Sequence, residues 1–229
     1  MPYDEWEPAY EAILADFGYD RAGDERGRDA LYDAVADRGP LDIDDVRLPG
    51  TVAVCGAGPS LPAELSVARD ADCVVAASTA ADVLRDAGVA VDCMVTDLDK
   101  NPETARELAA AGTPVAVHAH GDNVAAVDRL APALEASSVL PTTQTDPRPP
   151  VVNPGGFTDG DRAAFLADAC GADRLVFAGW DLDDPAVGPE KSRKLEWAER
   201  LLCWLECRRN ERFGVLDGRR DRIDLSWTR

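Results

Sequence analysis

From Thr51 onward, short apolar runs alternate with stretches able to form amphipathic helices, and this alternation limits the possible folds more than any other feature. The runs lie at 52–55, 73–77, 93–96, 114–118, 139–140 and 175–178. They are too short for helices and rich in Val, Ala and Cys, as strands buried on both faces are. Between them, Asn101-Pro102-Glu103 opens a helix with a cap residue and a proline at its first position. Val124, Val127, Ala131 and Leu134 line one side of another. The pattern predicts an α/β fold: a doubly wound, mostly parallel sheet with helices on both faces. In such sheets ligands sit outside the carboxyl ends of the strands.

The residues before this region read differently. Trp6, Tyr10, Ile13, Leu14 and Phe17 recur at helical spacing, with Asp4 placed to cap the helix and Gly18 to stop it. A second helix is expected over 26–38, closed by Gly39-Pro40 and followed by a connector. We therefore divide the chain into an N-terminal helical segment, 1–48, and an α/β catalytic domain, 49–229. Residues 141–154 hold five prolines without periodicity, a long loop and a candidate lid. A last helix is expected over 189–212, with Leu195, Ala198, Leu202 and Leu205 on one face, and the tail from Phe213 as an edge strand.

Composition narrows the partners. Forty-three acids against 24 bases give a net charge of −19, and the acids are dispersed rather than blocked. Such a surface repels nucleic acid and anionic membranes, so neither is expected as a partner. At about 1 M salt the Debye length falls to roughly 3 Å, so the composition suits a high-salt cytoplasm such as that of halophilic archaea. The start lacks the basic and apolar regions of a signal peptide, and no run approaches the roughly 20 apolar residues of a membrane span. The expectation is a soluble cytoplasmic protein, with a homo-oligomer left open. The six cysteines form no C-x-x-C pair and are expected as small buried hydrophobes.

Four strand ends and one glycine loop carry polar groups. After the first strand, Gly56-Ala57-Gly58-Pro59-Ser60 turns into a helix; Gly56 and Gly58 let backbone approach a ligand, and Ser60 can hold a phosphate or a polar ring. A tight turn explains the same glycines, and the second strand ends Ala77-Ser78 without the acid a dinucleotide site would use. After the third strand, Asp97 and Asp99 flank Leu98; on an extended segment both carboxylates point one way and can grip a hard cation. The fourth strand runs into His118-Ala119-His120-Gly121-Asp122-Asn123, where Asp122 is a further candidate metal ligand and Asn123 a candidate phosphate or metal contact. Zinc hydrolysis fits poorly, since no third histidine exists. In Asn153-Pro154-Gly155-Gly156-Phe157-Thr158-Asp159-Gly160-Asp161-Arg162, the loop at Gly156 leads to a helix capped by Thr158 or Asp159, with Arg162 adding positive charge. The sixth run ends in Asp181-Leu182-Asp183 ahead of Lys191 and Lys194, two of only three lysines, at a helix start where an anionic ligand would explain them better than the helix dipole does.

Gly-Ala-Gly-Pro-Ser-Leu at 56–61, Thr-Asp-Leu-Asp at 96–99, His-Ala-His-Gly-Asp-Asn at 118–123 and Phe-Thr-Asp-Gly-Asp-Arg at 157–162, in this order, resemble the archaeal 6-hydroxymethyl-7,8-dihydropterin pyrophosphokinases. Their catalytic region is similar to that of thiamin pyrophosphokinases, and the likeness covers roughly residues 50–195. It implies pyrophosphoryl transfer from ATP to a pterin alcohol, releasing AMP, in folate- or methanopterin-type biosynthesis. It further implies Mg²⁺ held by Asp97, Asp99 and Asp122, with Arg162, Lys191 and Lys194 on the transferring oxygens. A carboxylate, Asp122 or Asp159, would take the hydroxyl proton, and the pterin ring would lie near the Gly56–Ser60 loop and Asn153. Lys100 departs from the glycine or small residue expected after Asp99. The rival readings are transfer to another alcohol such as thiamin, and a non-catalytic nucleotide-binding module.

Overall fold

The computed structural model describes residues 1–228. Two helices, α1 (Tyr3–Phe17) and α2 (Arg21–Val35), precede the sheet. Then follow β1 (Thr51–Cys55), α3 (Leu65–Arg69), β2 (Cys73–Ala77), α4 (Ala80–Asp86) and β3 (Cys93–Thr96). The second half comprises α5 (Pro102–Ala110), β4 (Val115–Ala119), α6 (Val124–Leu130), β5 (Val139–Thr143), α7 (Asp159–Ala169), β6 (Arg174–Ala178) and α8 (Pro189–Arg209). Among the described residues no helix is long and apolar enough to cross a membrane.

All strand pairs are parallel, in the order β5-β4-β3-β2-β1-β6. The chain lays strands outward from β1 to β5, then returns through α7 to place β6 on the other side of β1. The order therefore reverses at the β1/β6 crevice, the point where open α/β sheets bind ligands. Alternate strand residues face opposite cores, as the period of two requires. Val52, Val54, Val75 and Val95 pack under α1, α7 and α8; Ala53, Cys55, Ala76 and Met94 pack under α2 to α6. The N-terminal helices thus straddle the sheet. Trp6 of α1 stacks on Trp204 at 6.3 Å and meets Phe165 edge-on at 6.1 Å.

Several local expectations change. Asp4 lies inside the first turn of α1, whose N-cap is Pro2, while Gly18 closes it at φ 70°. α2 starts earlier than expected, capped by Asp20, whose carboxylate accepts from the Ala22 amide. The proline-rich stretch begins as the buried strand β5, and residues 141–145 are all buried, so its first part is core rather than lid. After α8 the tail forms 3-10 turns, and no strand follows β6 among the described residues. Phe213 instead puts its ring against Phe177 of β6, at 4.9 Å. Cys55, Cys93, Cys170 and Cys203 are buried as expected; Cys73 is half-buried and Cys207 exposed.

Candidate active site

The carboxyl tips of β3, β4 and β5, the start of α7, the first turn of α8 and the start of α2 enclose a cavity of about 330 Å³. Asp97, Asp99 and Asp122 line it, as do Arg26, Lys100, Arg162, Lys191 and Lys194.

Asp97 and Asp99 come together by a route the sequence reading did not foresee. Leu98 adopts φ 65°, burying its side chain while its amide donates to Thr96 Oγ1 at 3.0 Å. The segment is thus a tight turn rather than an extended strand end, and the Asp99 amide donates to Asp97 Oδ1 at 3.2 Å. His120 Nε2 lies 3.7 Å from Asp97 Oδ2. Burial favours the neutral Asp97 carboxyl, but His120 and the Asp99 groups hold it well below the usual carboxylate range. Burial and the neighbouring Asp97 push Asp99 up to about 6. Two carboxylates this close form a place where positive charge is wanted.

Asp122 stands at the exposed rim of the cavity, its amide donating to His120 Nδ1 at 3.3 Å. Among the described residues no three His, Cys, Asp or Glu side chains converge on a metal-holding point. Asn123 is buried, and its amide spans strand tips: Nδ2 donates to Asp97 O at 2.9 Å and His118 O at 2.7 Å, and Oδ1 accepts from the His120 amide at 2.9 Å. Its polar atoms brace the acids from behind.

Thr158 caps α7 in a capping box with Asp161, its hydroxyl donating to Asp161 Oδ2 at 2.6 Å. This cap aims Asp159 and Arg162 at the cavity floor. Burial, then the charge of Asp97, push the Asp159 carboxyl up to about 7. Gly156, at φ 97°, packs against the Arg162 backbone, and Asn153 spends its amide on Thr145 O and the Gly155 amide. Neither lines the cavity. Lys191 faces it with its charge disfavoured by burial and by Lys100, and Lys194 pairs with Glu190 at 3.0 Å.

Two residues not foreseen from the sequence complete the floor. Asp24 of α2 is 4% exposed and accepts from Tyr10 Oη, Gln144 Nε2 (both 2.8 Å) and the Gly121 amide (2.9 Å). Gln144 Oε1 in turn accepts from Arg162 Nη2 at 2.8 Å, and Arg162 Nη1 reaches Asp159 Oδ1 at 3.4 Å. A continuous polar chain therefore runs from α1 to the cavity. The α2 backbone comes close enough for this because position 27 is glycine: a Cβ there would lie 2.6 Å from His120 O. Two glycines within a helical pattern, Gly23 and Gly27, were the available signal.

A second cavity, about 280 Å³, opens at the tips of β1, β2 and β6 and shares Lys100, Thr158, Asp159 and Lys191 with the first. Gly56 and Gly58 line it, yet their missing side chains serve the approach of another loop: a Cβ on Gly56 would meet Gly179 O at 2.5 Å, and one on Gly58 the same oxygen at 2.6 Å. The Gly56 and Gly58 amides donate to Ala178 O at 2.8 Å and Gly179 O at 2.9 Å, zipping the two loops together. Ser60 lines neither cavity, and its amide donates to Asp181 Oδ2 at 2.9 Å.

The model of the family described as 6-hydroxymethylpterin diphosphokinase MptE-like matches residues 42–186. A protein of Methanothermobacter thermautotrophicus named 6-hydroxymethyl-7,8-dihydropterin pyrophosphokinase is 41% identical over 219 residues, 88% of this chain and 94% of its own. Proteins of the same name from Pyrococcus furiosus and Methanocaldococcus jannaschii are 36% and 30% identical, each over 90% of this chain and 95% and 96% of their own. A solved MAf glycosyltransferase from Magnetospirillum magneticum aligns with 72% of this chain and 29% of its own, at TM-score 0.46 and 21% identity. With the family model matching well over half of its residues and relatives at this level of identity along most of its length, the chain belongs to the MptE-like 6-hydroxymethylpterin diphosphokinase family.

Proposed function

We propose that this chain transfers the pyrophosphoryl group of ATP to the hydroxymethyl oxygen of 6-hydroxymethyl-7,8-dihydropterin, releasing AMP. The observation that carries the reading is the meeting of Asp97 and Asp99 with Arg162, Lys191 and Lys194 in one cavity at the strand tips of a chain from this family. A new bond forms between the alcohol oxygen and the β-phosphorus, the bond from that phosphorus to the α-phosphate oxygen breaks, and AMP leaves with the electron pair.

Asp97 and Asp99 would hold a magnesium ion. Their fit lies in the donor chemistry: two close carboxylates, the charge of Asp99 disfavoured by Asp97, in a site that would also receive phosphates. Magnesium commonly takes one or two carboxylates and completes its shell with water and substrate oxygens, so no cage of three protein ligands is needed. When bound it would supply positive charge to phosphate oxygens of the nucleotide. Asp122, at the rim, would assist through water.

The remaining work is positioning and electrostatics. Arg162, held by Gln144 and Asp159, presents a fixed positive charge to the transferring oxygens, while Lys191 and Lys194 approach from α8. Asp159, partly buried where the two cavities meet, accepts the hydroxymethyl proton. Consumption of ATP fits work in the cytoplasm.

The test is AMP release in molar KCl with the pterin alcohol, ATP and Mg²⁺. Asp97→Asn and Asp99→Asn are each expected to lower turnover by about 100-fold or more, with the thermal midpoint unchanged or raised in Asp99→Asn, where a disfavoured charge is removed, and lowered in Asp97→Asn, where a favoured one is lost. Turnover near wild type in both variants, or a preference for thiamin or another alcohol, would reject the reading.

A further inference from the structure

In an in-line transfer the attacking and leaving oxygens lie on opposite sides of the phosphorus, so the alcohol and the AMP moiety need separate places. The two cavities meet this demand, sharing only the wall formed by Lys100, Thr158, Asp159 and Lys191. Their chemistry differs. The second is walled largely by Ala57, Pro59, Trp180, Leu182, Val187 and Leu195, with Asp181 and Asp184 on one side, whereas the first holds the buried Asp24–Gln144 pair. A purine is held by apolar faces with few polar contacts; the aminopyrimidinone edge of a pterin carries adjacent donors that call for carboxylate or amide partners. Among the described residues, cations reach the second cavity only along the shared wall, where an α-phosphate would lie.

One residue in that cavity lacks a structural explanation. Ser78, directly after β2, adopts φ 51°, is 4% exposed, and its hydroxyl has no hydrogen-bond partner among the described residues. Its backbone is already committed: the amide donates to Val95 O at 2.8 Å, and the carbonyl accepts from Asn101 Nδ2 at 3.2 Å. A left-handed backbone at serine and an unpaired buried hydroxyl both work against folding, and such features cluster where a ligand uses them.

We propose that the cavity at the tips of β1, β2 and β6 seats the nucleoside of ATP, and that the Ser78 hydroxyl hydrogen-bonds to it. The pyrophosphoryl group then crosses the shared wall toward the alcohol in the first cavity. This assignment rests on the transfer reaction proposed above.

The experiment measures binding rather than turnover. AMP, which carries the nucleoside and α-phosphate alone, is titrated calorimetrically into wild type, Ser78→Ala and Ala57→Trp, with 6-hydroxymethylpterin as the counter-probe. Ala57 is exposed and lines the cavity, so the tryptophan fills it without disturbing the core. Ser78→Ala is expected to weaken AMP about fivefold, the loss of one neutral hydrogen bond, and Ala57→Trp more than about tenfold, with pterin binding unchanged in both. The assignment is overturned if wild type does not bind AMP, if both variants bind it as wild type does, or if pterin binding falls instead. AMP binding as expected, with no AMP released from ATP in the enzymatic assay, would sink the transfer reaction and leave the nucleoside site standing.

Discussion

Asp24 is a residue whose importance lies entirely in what it holds. Its carboxylate fixes which way the Gln144 amide faces, and that orientation leaves Gln144 Oε1 for Arg162. Asp24→Ala strands three buried donors, so we expect a loss of about 2–4 kcal/mol in denaturant unfolding together with a fall in kcat. Asp24→Asn, which retains an acceptor for Tyr10, should recover most of the stability and less of the turnover; equal recovery of both would mean the chain is only structural. The strand-end acids were legible because they follow apolar runs. Asp24 and Gln144 were not, because one lies in an ordinary helix start and the other in a proline-rich stretch read as loop. The Asp97–Asp99 pair was legible for an inexact reason, since Leu98 turns the backbone where alternation had been assumed.

At the scale of elements, the β1 and β6 tips are held together by Gly56 and Gly58 against Gly179. Gly58→Ala must separate them, with an expected cost of about 1–3 kcal/mol in chemical denaturation and weaker AMP binding. The glycine motif was visible in the sequence, but not that another loop would press against it. The tail after α8 was misread because a run of apolar residues does not distinguish a strand from a segment that lends only side chains. It is held by Glu206, which accepts from Arg220 Nη2 at 2.6 Å and the Phe213 amide at 2.5 Å. Burial raises the Glu206 carboxyl, but Arg220 and the Phe213 amide together hold it below the ordinary glutamate value. Folding therefore favours the ionised form, whose contribution is fully present above the unfolded value and lost as pH falls through the lower folded one. Thermal melts should show an added fall below about pH 4.5 in wild type that is missing in Glu206→Gln. That variant should be weaker by about 1.5–3 kcal/mol at neutral pH.

Across the whole molecule, −19 charges must share one surface. Their repulsion weakens the compact state at low ionic strength and is screened in molar salt. We expect the thermal midpoint to climb between 0.1 M and about 2 M KCl; a gain of about 2 kcal/mol would appear as roughly 4–8 °C for a chain of this size. A flat or falling midpoint would separate the acidity from salt adaptation. The parallel sheet and its order of elements were legible because buried strands and amphipathic helices differ in period. The straddling of that sheet by the first two helices was not, because periodicity shows that a face is apolar without showing what covers it. Its consequence reaches back to synthesis. Trp6 donates its indole N–H to the Gln144 carbonyl and stacks on Trp204, so α1, translated well before α8, leaves the ribosome with an unclad aromatic stripe. Its docking partners emerge only as the last long helix is made, and until then the nascent chain is exposed to misassembly and has no finished reaction chamber.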